Sequence, residues 1–133
     1  SYFTSDCLDI PLDSNSIDYI MSIAVIHHLS TYQRRLQAIN EIKRLLKPGG
    51  RALIYVWSFE QPKFQNEDKQ DVMVKWSLQK KYNINNEDTI LYRYYHLFIE
   101  NELENMISQI DNLLIIENGN QYNNWYCIIE KQV

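Results

Sequence analysis

Two nearly continuous apolar segments, residues 17–25 and 51–59, flank a segment in which apolar side chains recur every three or four residues. The continuous segments are typical of strands buried on both faces of a parallel sheet, and the periodic segment is typical of a helix with one apolar face. Ser30 and Thr31 are residue types that cap the start of a helix, and Lys-Pro-Gly-Gly at 47–50 is typical of a helix end. The pattern predicts a right-handed βαβ unit.

The rest of the chain predicts further strands and one more helix. Residues 1–5 have the character of a strand end, whereas residues 60–90 are polar, charged and weakly periodic, which favours an insertion. After residues 92–97 the pattern predicts a helix at 99–110, a strand at 113–117, a turn at 118–123 and a strand at 125–131. The predicted fold is α/β, a three-layer sandwich whose sheet ends in an antiparallel strand pair.

Composition restricts the partners and the compartment. The 133 residues suffice for one domain, residues 1–133, and the net charge of −4 excludes an overall basic surface for nucleic acid. Any such contact must come from a local patch, for which the candidates are Lys43, Lys47, Lys63, Lys69, Lys75, Lys80 and Lys81. Because no apolar run approaches the length of about 18 residues that spans a membrane, we expect a soluble, reduced, cytoplasmic protein.

The sequence offers no convincing set of metal ligands. Cys7 and Cys127 are far apart and lack metal-ligand spacing. His27 and His28 are adjacent on a segment expected to be extended, where neighbouring side chains point apart. No metal site is therefore predicted.

Several motifs together resemble one enzyme family. The apolar strand, the helix and Leu-Lys-Pro-Gly-Gly at 46–50 resemble class I S-adenosylmethionine-dependent methyltransferases. The longer string SIAVIHHLSTYQRRLQAINEIKRLLKPGGRALIYVW at 22–57 resembles, more narrowly, the eukaryotic tRNA methyltransferases that esterify carboxymethyluridine at the wobble position. Arg-Tyr-Tyr-His-Leu at 93–97 and Asn-Trp-Tyr at 124–126 are similar to the same family.

The likeness to that family is incomplete. A complete member would begin with a strand, a GxGxG-type turn, a helix and a strand ending in an acidic residue that binds the cofactor ribose. Here no pair of glycines precedes Gly49. The resemblance thus implies a C-terminal half containing strands four, five, seven and six, and we expect the 133 residues alone to hold the cofactor poorly and to be inactive.

The resemblance also implies which residues bind S-adenosylmethionine. Asp6, at the end of strand three, would accept a hydrogen bond from the adenine amino group while the Cys7 backbone N–H faces a ring nitrogen. Val25, Ile26 and His27 follow strand four at its carboxyl end, the edge of an open α/β sheet where ligands bind, and would lie near the methionine part. The alternative for Asp6 is a turn-forming aspartate.

The implied reaction requires positively charged or hydrogen-bonding side chains that hold a carboxylate, and it requires no general base. A carboxylate that attacks the sulfonium methyl is already ionised at neutral pH, because such groups have a pKa near about 4. The enzyme must therefore align and hold this carboxylate, a role suited to the planar guanidinium of arginine. The candidate catalytic residues are His28, Arg34, Arg35, Arg93 and His96.

Other interpretations of these residues stay open. Arg34 and Arg35 also fit the solvated first turn of a helix, although the helix dipole disfavours cations there. Tyr94, Tyr95 and Trp125 suit core packing as well as stacking on RNA bases.

The expected partners follow from the family and from the sheet edge. The resemblance implies tRNA as the substrate and a small zinc-binding activator protein that docks on the edge formed by strand three. The bare, apolar edge of strand four favours a homodimer, or a swap of the N-terminal segment between two copies. Two rival functions stay open: another small-molecule or protein methyltransferase, and a cofactor-free scaffold or binding module.

Overall fold

A computed structural model describes residues 1–78, 82 and 89–133, which form two sheets and two α-helices. The larger sheet contains β1 (Ile17–Ile23), β2 (Leu46–Trp57), β5 (Leu113–Gln121) and β6 (Asn124–Lys131), in the order β1-β2-β6-β5. The smaller sheet is an antiparallel pair, β3 (Asp71–Ser77) and β4 (Ile90–His96). The helices are α1 (Tyr32–Leu45) and α2 (Glu102–Ser108).

The predicted βαβ unit is confirmed. Strands β1 and β2 are parallel, and α1 connects them. The Thr31 hydroxyl accepts a hydrogen bond from the Arg34 backbone N–H at 3.2 Å and so caps α1. Strand β2 begins directly after α1, so the Lys-Pro-Gly-Gly segment is part of the strand. The pairing of β1 with β2 shifts in register at this segment, between Ile17 and Tyr19 of β1.

Glycine at position 50 is required by the close approach of two backbones. A Cβ atom on Gly50 would lie 2.9 Å from the Lys47 carbonyl oxygen and 3.0 Å from the Asp18 carbonyl oxygen. Gly49 has a φ of 82°, in the left-handed region that favours glycine. The two glycines of the Lys-Pro-Gly-Gly motif are therefore explained by the backbone geometry at the start of β2.

Both helices pack on the same face of the larger sheet. Side chains of α1 and α2 share one core with alternate residues of β2 and β6, and its fully buried members include Ile39, Ile54, Val56, Ile107 and Ile129. Burying such a side chain stabilises the fold by roughly 1.5–3 kcal/mol relative to leaving it exposed. The core therefore lies between this sheet and one helical layer.

The prediction that the first strand is buried on both faces is wrong. Tyr19, Met21 and Ile23 are 79%, 75% and 55% exposed, whereas Ser22 on the other face is buried. The physical reason is that the described part of the chain supplies helices to one face of the sheet. The strand also ends earlier than predicted, because Ala24 adopts a left-handed φ of 58° and Val25 leads into a 3-10 turn, Ile26–His28.

The segment predicted as an insertion contains a strand. Within residues 60–90, β3 pairs in antiparallel register with β4, which occupies the stretch expected to lead into a helix. Its apolar residues Val72, Met73, Val74 and Trp76 form a run too short to stand out in a charged context. Residues 79–81 and 83–88, with the candidate lysines at 80 and 81, lie outside the described residues.

The two ends of the chain differ from the prediction in opposite ways. Residues 1–5 form no strand, and the first pairing in the described ranges is an isolated bridge between Asp6 and Asp9. The final antiparallel pair is confirmed, but its strands continue through most of the predicted turn. Only Tyr122 and Asn123 lie between them, and their φ values of 51° and 62° match a tight two-residue hairpin turn.

The second predicted helix is shorter than expected, covering Glu102–Ser108 within the predicted 99–110. No helix of the described ranges is both long and apolar enough to cross a membrane.

The hairpin turn gives a stability prediction. Tyr122 is 88% exposed and has a left-handed backbone conformation, which costs most residues roughly 1–2 kcal/mol but is tolerated by asparagine. We expect Tyr122→Asn to raise the free energy of unfolding by about 0.5–1 kcal/mol. The β-branched control Tyr122→Val should lower it, and urea unfolding of both variants measures the difference; equal midpoints would contradict the assignment.

Candidate functional site

The carboxyl end of β1 borders a small apolar cavity. Of the residues predicted to bind cofactor, Cys7, Val25 and Ile26 line this cavity, whose volume is about 150 Å³. The other lining residues are Ile10, Ile20, Ser22, Ala38 and Ile42. Sites for whole small molecules span roughly 300–1,000 Å³, so the cavity suits a flat ring such as the adenine of S-adenosylmethionine and not the whole cofactor.

Asp6 lies beside this cavity in an exposed turn. Its Oδ1 accepts a hydrogen bond from the Leu8 backbone N–H at 2.9 Å, which is the geometry of a turn-forming aspartate. Burial, followed by the charge of Asp6, raises the pKa of the Cys7 thiol, so this cysteine is a protonated lining residue at neutral pH. Asp6 Oδ1 therefore stabilises the local turn.

His27 is a buried, neutral side chain. It is 0% exposed, and its Nδ1 accepts a hydrogen bond from the Trp57 backbone N–H at 3.0 Å. Burial, reinforced by the neighbouring His28, lowers its pKa to about 3. The proton therefore sits on Nε2, which has no hydrogen-bond partner among the described residues. The imidazole fixes the end of β2 against the turn that follows β1.

Two of the predicted catalytic residues, His28 and Arg35, lie beside β4 and approach opposite faces of it. His28 is half-buried, and its Nδ1 donates to the Tyr94 carbonyl oxygen at 3.2 Å. Arg35 is only 6% exposed, and its Nη1 donates to the Leu29 carbonyl oxygen at 2.8 Å. Its guanidinium also faces the Tyr94 hydroxyl. The α1 first turn and the 3-10 turn thus direct both side chains to the same strand.

Arg35 keeps one buried donor without an acceptor. Its Nε is inaccessible to solvent and has no hydrogen-bond partner in the described part of the chain. An unsatisfied buried donor costs roughly 1–3 kcal/mol, and more for a charged group. Because Nε is closed to solvent, a ligand would have to approach this guanidinium through its other nitrogens.

His96 is held between two carboxylates. Its Nδ1 lies 3.0 Å from Asp71 Oδ1 and its Nε2 lies 2.5 Å from Glu102 Oε1. Burial acts to lower the His96 pKa, but hydrogen bonds with Glu102 and Asp71 outweigh it and raise the pKa. Both ring nitrogens of the protonated imidazole are donors, and both are engaged. His96 therefore has no donor left for a substrate, and its role is structural.

The carboxylates around His96 are themselves supported. Glu102 Oε2 accepts hydrogen bonds from Gln70 Nε2 at 2.6 Å and from the Ile99 backbone N–H at 3.0 Å. Burial acts to raise the Glu102 pKa, but these bonds and His96 outweigh it, and the pKa is lowered. The Tyr94 hydroxyl donates to Asp71. The cluster Asp71, His96 and Glu102, here called the ionic bridge, joins β3 and β4 to α2.

The structure does not bring the other two predicted cations into this site. Arg34 is exposed, and its guanidinium makes no hydrogen bond or ion pair to a described residue. The Arg93 guanidinium carbon lies 4.2 Å from the centre of the Trp76 ring, on the opposite face of the hairpin from His96. The five candidates therefore divide into Arg35 and His28 at one site, His96 in the ionic bridge, and two arginines elsewhere.

Sequence reasoning missed Asp71, Glu102 and Tyr94 as parts of this site. Asp71 lies in the segment predicted as an insertion, and nothing in the sequence pairs it with a histidine 25 residues later. Glu102 follows His96 by six residues, and a predicted helix start between them was the only available signal. The described residues contain no group of three or more side chains placed to hold a metal ion.

Comparison with known proteins connects this geometry to one family. A model described as "Methyltransferase domain" matches residues 1–54. A Schizosaccharomyces pombe protein named tRNA (carboxymethyluridine(34)-5-O)-methyltransferase is 40% identical over 143 residues, which cover 96% of the chain and 62% of that relative. A Xenopus tropicalis protein, tRNA (carboxymethyluridine(34)-5-O)-methyltransferase alkbh8, is 31% identical over 97% of the chain and 28% of its own length. The chain thus spans less than two thirds of these relatives.

Solved structures show the fold. An S-adenosylmethionine-dependent methyltransferase from Clostridium acetobutylicum superposes with a TM-score of 0.71 over 97% of the chain and 63% of that protein, at 9% identity. The methyltransferase in a complex with the Haloferax volcanii Trm112 methyltransferase activator superposes with a TM-score of 0.64 over 100% of the chain and 62% of its own, at 14% identity. The predicted Rossmann-like methyltransferase fold is confirmed.

The ionic bridge makes the stability depend on pH at both ends. The raised His96 pKa means that its contribution is complete below its usual value of 6.5 and is lost as the pH rises through the raised pKa. The lowered pKa values of Glu102 and Asp71 mean that their contributions are complete above 4.5 and 3.8 and are lost as the pH falls through the lowered values. The bridge is therefore complete between pH 4.5 and pH 6.5.

Glu102→Gln tests the ionic bridge. Because the substitution removes one charged partner, we expect the His96 pKa to fall and the loss of stability above pH 6.5 and below pH 4.5 to become smaller. NMR titration of the His96 ring and denaturant unfolding at several pH values measure both effects. Glu104→Gln, on the same helix, is the matched control and should leave His96 unchanged; an unchanged His96 titration in Glu102→Gln would contradict the bridge.

Proposed function

Since the chain belongs to the family of S-adenosylmethionine-dependent methyltransferases that includes the tRNA (carboxymethyluridine(34)-5-O)-methyltransferases, we propose that the protein methylates the carboxymethyl group of the wobble uridine in tRNA. The support is the 40% identity to a relative of that name over 96% of the chain. The presence of His28 and a buried Arg35 beside β4, in the elements that follow the carboxyl end of β1, adds the chemical reason.

The reaction requires the protein mainly to align the substrate carboxylate with the methyl group. S-adenosylmethionine, when bound, supplies a methyl group bonded to a positively charged sulfur. The nucleophile is the substrate carboxylate, which is ionised at neutral pH and needs no general base. The protein must therefore hold the carboxylate at a fixed distance and direction from the methyl group and keep water from solvating it.

Arg35 is the residue that we assign to the substrate carboxylate. Its largely buried guanidinium faces the Tyr94 hydroxyl, and a carboxylate bound beside that hydroxyl would pair with the charge in a low-dielectric setting. His28 lies at the same strand and would border the substrate from the 3-10 turn. The ionic bridge holds β4 and its Tyr94 in place, so His96 acts as a positioning residue.

The cofactor side of the site uses the apolar cavity. Cys7, Val25 and Ile26 would enclose the adenine ring, and Asp6 lies at its rim for the amino group. The His27 imidazole orients this turn through its hydrogen bond from Trp57. The rest of the cofactor needs contacts beyond this cavity, which is too small for the whole molecule.

We further propose two protein partners. A small zinc-binding activator fits the family, and the likeness to a methyltransferase solved with the Haloferax volcanii Trm112 activator supports an activator of this kind. A second copy of the chain would associate through β1, which lies at the sheet edge. Its exposed Tyr19, Met21 and Ile23 would be buried by that contact.

Substitution of Arg35 tests the proposed reaction. Losing a hydrogen bond to a charged group costs about 1.5–3 kcal/mol, so Arg35→Ala should reduce kcat/KM for methyl transfer by about 10- to 100-fold. Arg35→Lys keeps the charge but loses the planar guanidinium, so its kcat/KM should lie between those of the unsubstituted protein and Arg35→Ala. The assay uses the full-length protein, S-adenosylmethionine and tRNA carrying carboxymethyluridine.

Arg34→Ala is the matched control, because Arg34 is adjacent and exposed and should change the rate less than about threefold. Thermal unfolding of each variant separates loss of folding from loss of activity. Equal losses at positions 34 and 35 would contradict the assignment. Methylation of small acids in preference to the tRNA would favour a small-molecule methyltransferase, and no transfer to any acceptor would favour a scaffold.

Sedimentation velocity tests association through β1. We expect the chain to show a dimer whose fraction rises with concentration, and Ile23→Lys to shift it to monomer by placing a charge on the buried face. Leu114→Lys, at an exposed position on the opposite edge strand β5, is the matched control and should remain dimeric. A monomer at every concentration would contradict the proposal.

A further inference from the structure

One face of the β3–β4 hairpin carries a cation–aromatic pair, Arg93 on Trp76, and a second pair, Lys63 on Trp57, lies at its base. The residues on this face, here called the arm face, are Val72, Val74 and Trp76 of β3 and Leu91, Arg93 and Tyr95 of β4. Val72 and Tyr95 are buried at the base of the hairpin, whereas Arg93 and Leu91 are exposed further along. The arm face therefore runs from the core into solvent.

The base of the arm face is an aromatic stack covered by a cation. The Trp57 ring lies on Tyr95 with ring centres 4.3 Å apart and planes 15° from parallel. The Lys63 ammonium lies 4.7 Å from the centre of the Trp57 ring and 5.4 Å from that of Phe64. Lys63 is exposed, and its Nζ forms no ion pair with a described carboxylate.

The outer part of the arm face repeats this arrangement. The Arg93 guanidinium lies 4.2 Å from the centre of the Trp76 ring, and both groups are reachable from solvent. The only other charged residue on the described strands beyond the Asp71–His96 pair is Lys75, which is also a cation. Although the chain has a net charge of −4, this outer part of the hairpin is positive. The nearby acids Glu67 and Asp68 lie before β3, at the base.

The arm face leads directly to the candidate site. Tyr95, at its base, has its ring centre 4.4 Å from that of His28 and 5.0 Å from that of His27. The two strands contain seven residues each, so the hairpin extends roughly 20 Å from this point. That length spans several nucleotides of an extended single strand.

We propose that the arm face binds single-stranded RNA of the substrate, the nucleotides that flank the reacting uridine, and so guides them toward His28, against which the Tyr95 ring packs. This inference rests on the proposed function. Unstacked bases bind to aromatic rings and to guanidinium planes, while lysine and arginine contact phosphates. Arg93 on Trp76 and Lys63 on Trp57 each offer both kinds of contact, with no described carboxylate to compete for the charge.

Fluorescence anisotropy with an anticodon stem-loop RNA and the 133-residue chain tests the arm face. The test variant is Lys63→Glu with Arg93→Glu, which reverses two exposed charges. Each lost phosphate contact lowers the slope of log affinity against log salt by about 0.7 for single strands. We expect affinity to fall at least about tenfold and the slope to fall by about 1–2.

The control is Lys43→Glu near the end of α1, which reverses one charge as each substitution of the test variant does. That end adjoins Leu46, opposite the amino end of β1, whereas the arm lies at the carboxyl end. We expect Lys43→Glu to change affinity less than about twofold. Arg93→Lys retains the charge without the planar fork and should lose part of the affinity, and circular dichroism of all variants confirms folding.

The outcomes distinguish this inference from the proposed function. Equal affinities of the arm-face variant and Lys43→Glu would overturn the arm face, as would an absence of RNA binding by the unsubstituted chain or equal binding to a fully duplex RNA. In the full-length protein, the arm-face variant should raise KM for tRNA with kcat largely retained. RNA binding through the arm face without any methyl transfer would overturn the proposed reaction and leave the arm face standing.

Discussion

The imidazolium of His96, held between Asp71 and Glu102, is the interaction on which the candidate site and the arm face both depend. The β3–β4 hairpin is a separate two-stranded sheet, and an isolated pair of strands is at best marginally stable in water. Apolar contacts of Val72, Tyr95 and Leu97 with Phe64 attach one face of it. The ionic bridge attaches the other face to α2, so the hairpin has a fixed direction relative to the sheet.

Such a bridge carries a cost that limits what its members can do. Removing ionised groups from water is unfavourable, and the attraction between them offsets this only when their hydrogen bonds are complete. Both nitrogens of His96 and both oxygens of Glu102 are engaged, so the bridge meets this condition. The same completeness removes His96 from substrate binding. Arg35 differs because its Nε lacks an acceptor among the described residues, so the hydrogen bonds of this buried cation are incomplete.

The elements that sequence reasoning predicted correctly are those with local causes. The βαβ unit follows from long apolar runs, a helix cap at Thr31 and a helix end that requires Gly50. The final strand pair follows from two apolar runs close together. The β3 strand escaped prediction because its four apolar side chains form a short run within a charged segment, and its stability comes from β4, about twenty residues later. The exposed face of β1 escaped because a continuous apolar run does not specify what covers each face.

The candidate site shows the same division between local and distant causes. Val25, Ile26 and Cys7 meet at one cavity because strand ends and their following turns converge at one edge of an α/β sheet, which sequence reasoning can anticipate. The separation of Arg34 from Arg35 is set by helix geometry, since adjacent residues point about 100° apart and only one of them can face β4. The separation of Arg93 from His96 has the corresponding cause in a strand, where residues an odd number apart lie on opposite faces. Backbone geometry thereby separates the five candidate residues: His28 and Arg35 lie beside β4, His96 lies in the ionic bridge, Arg93 lies on the arm face and Arg34 is exposed.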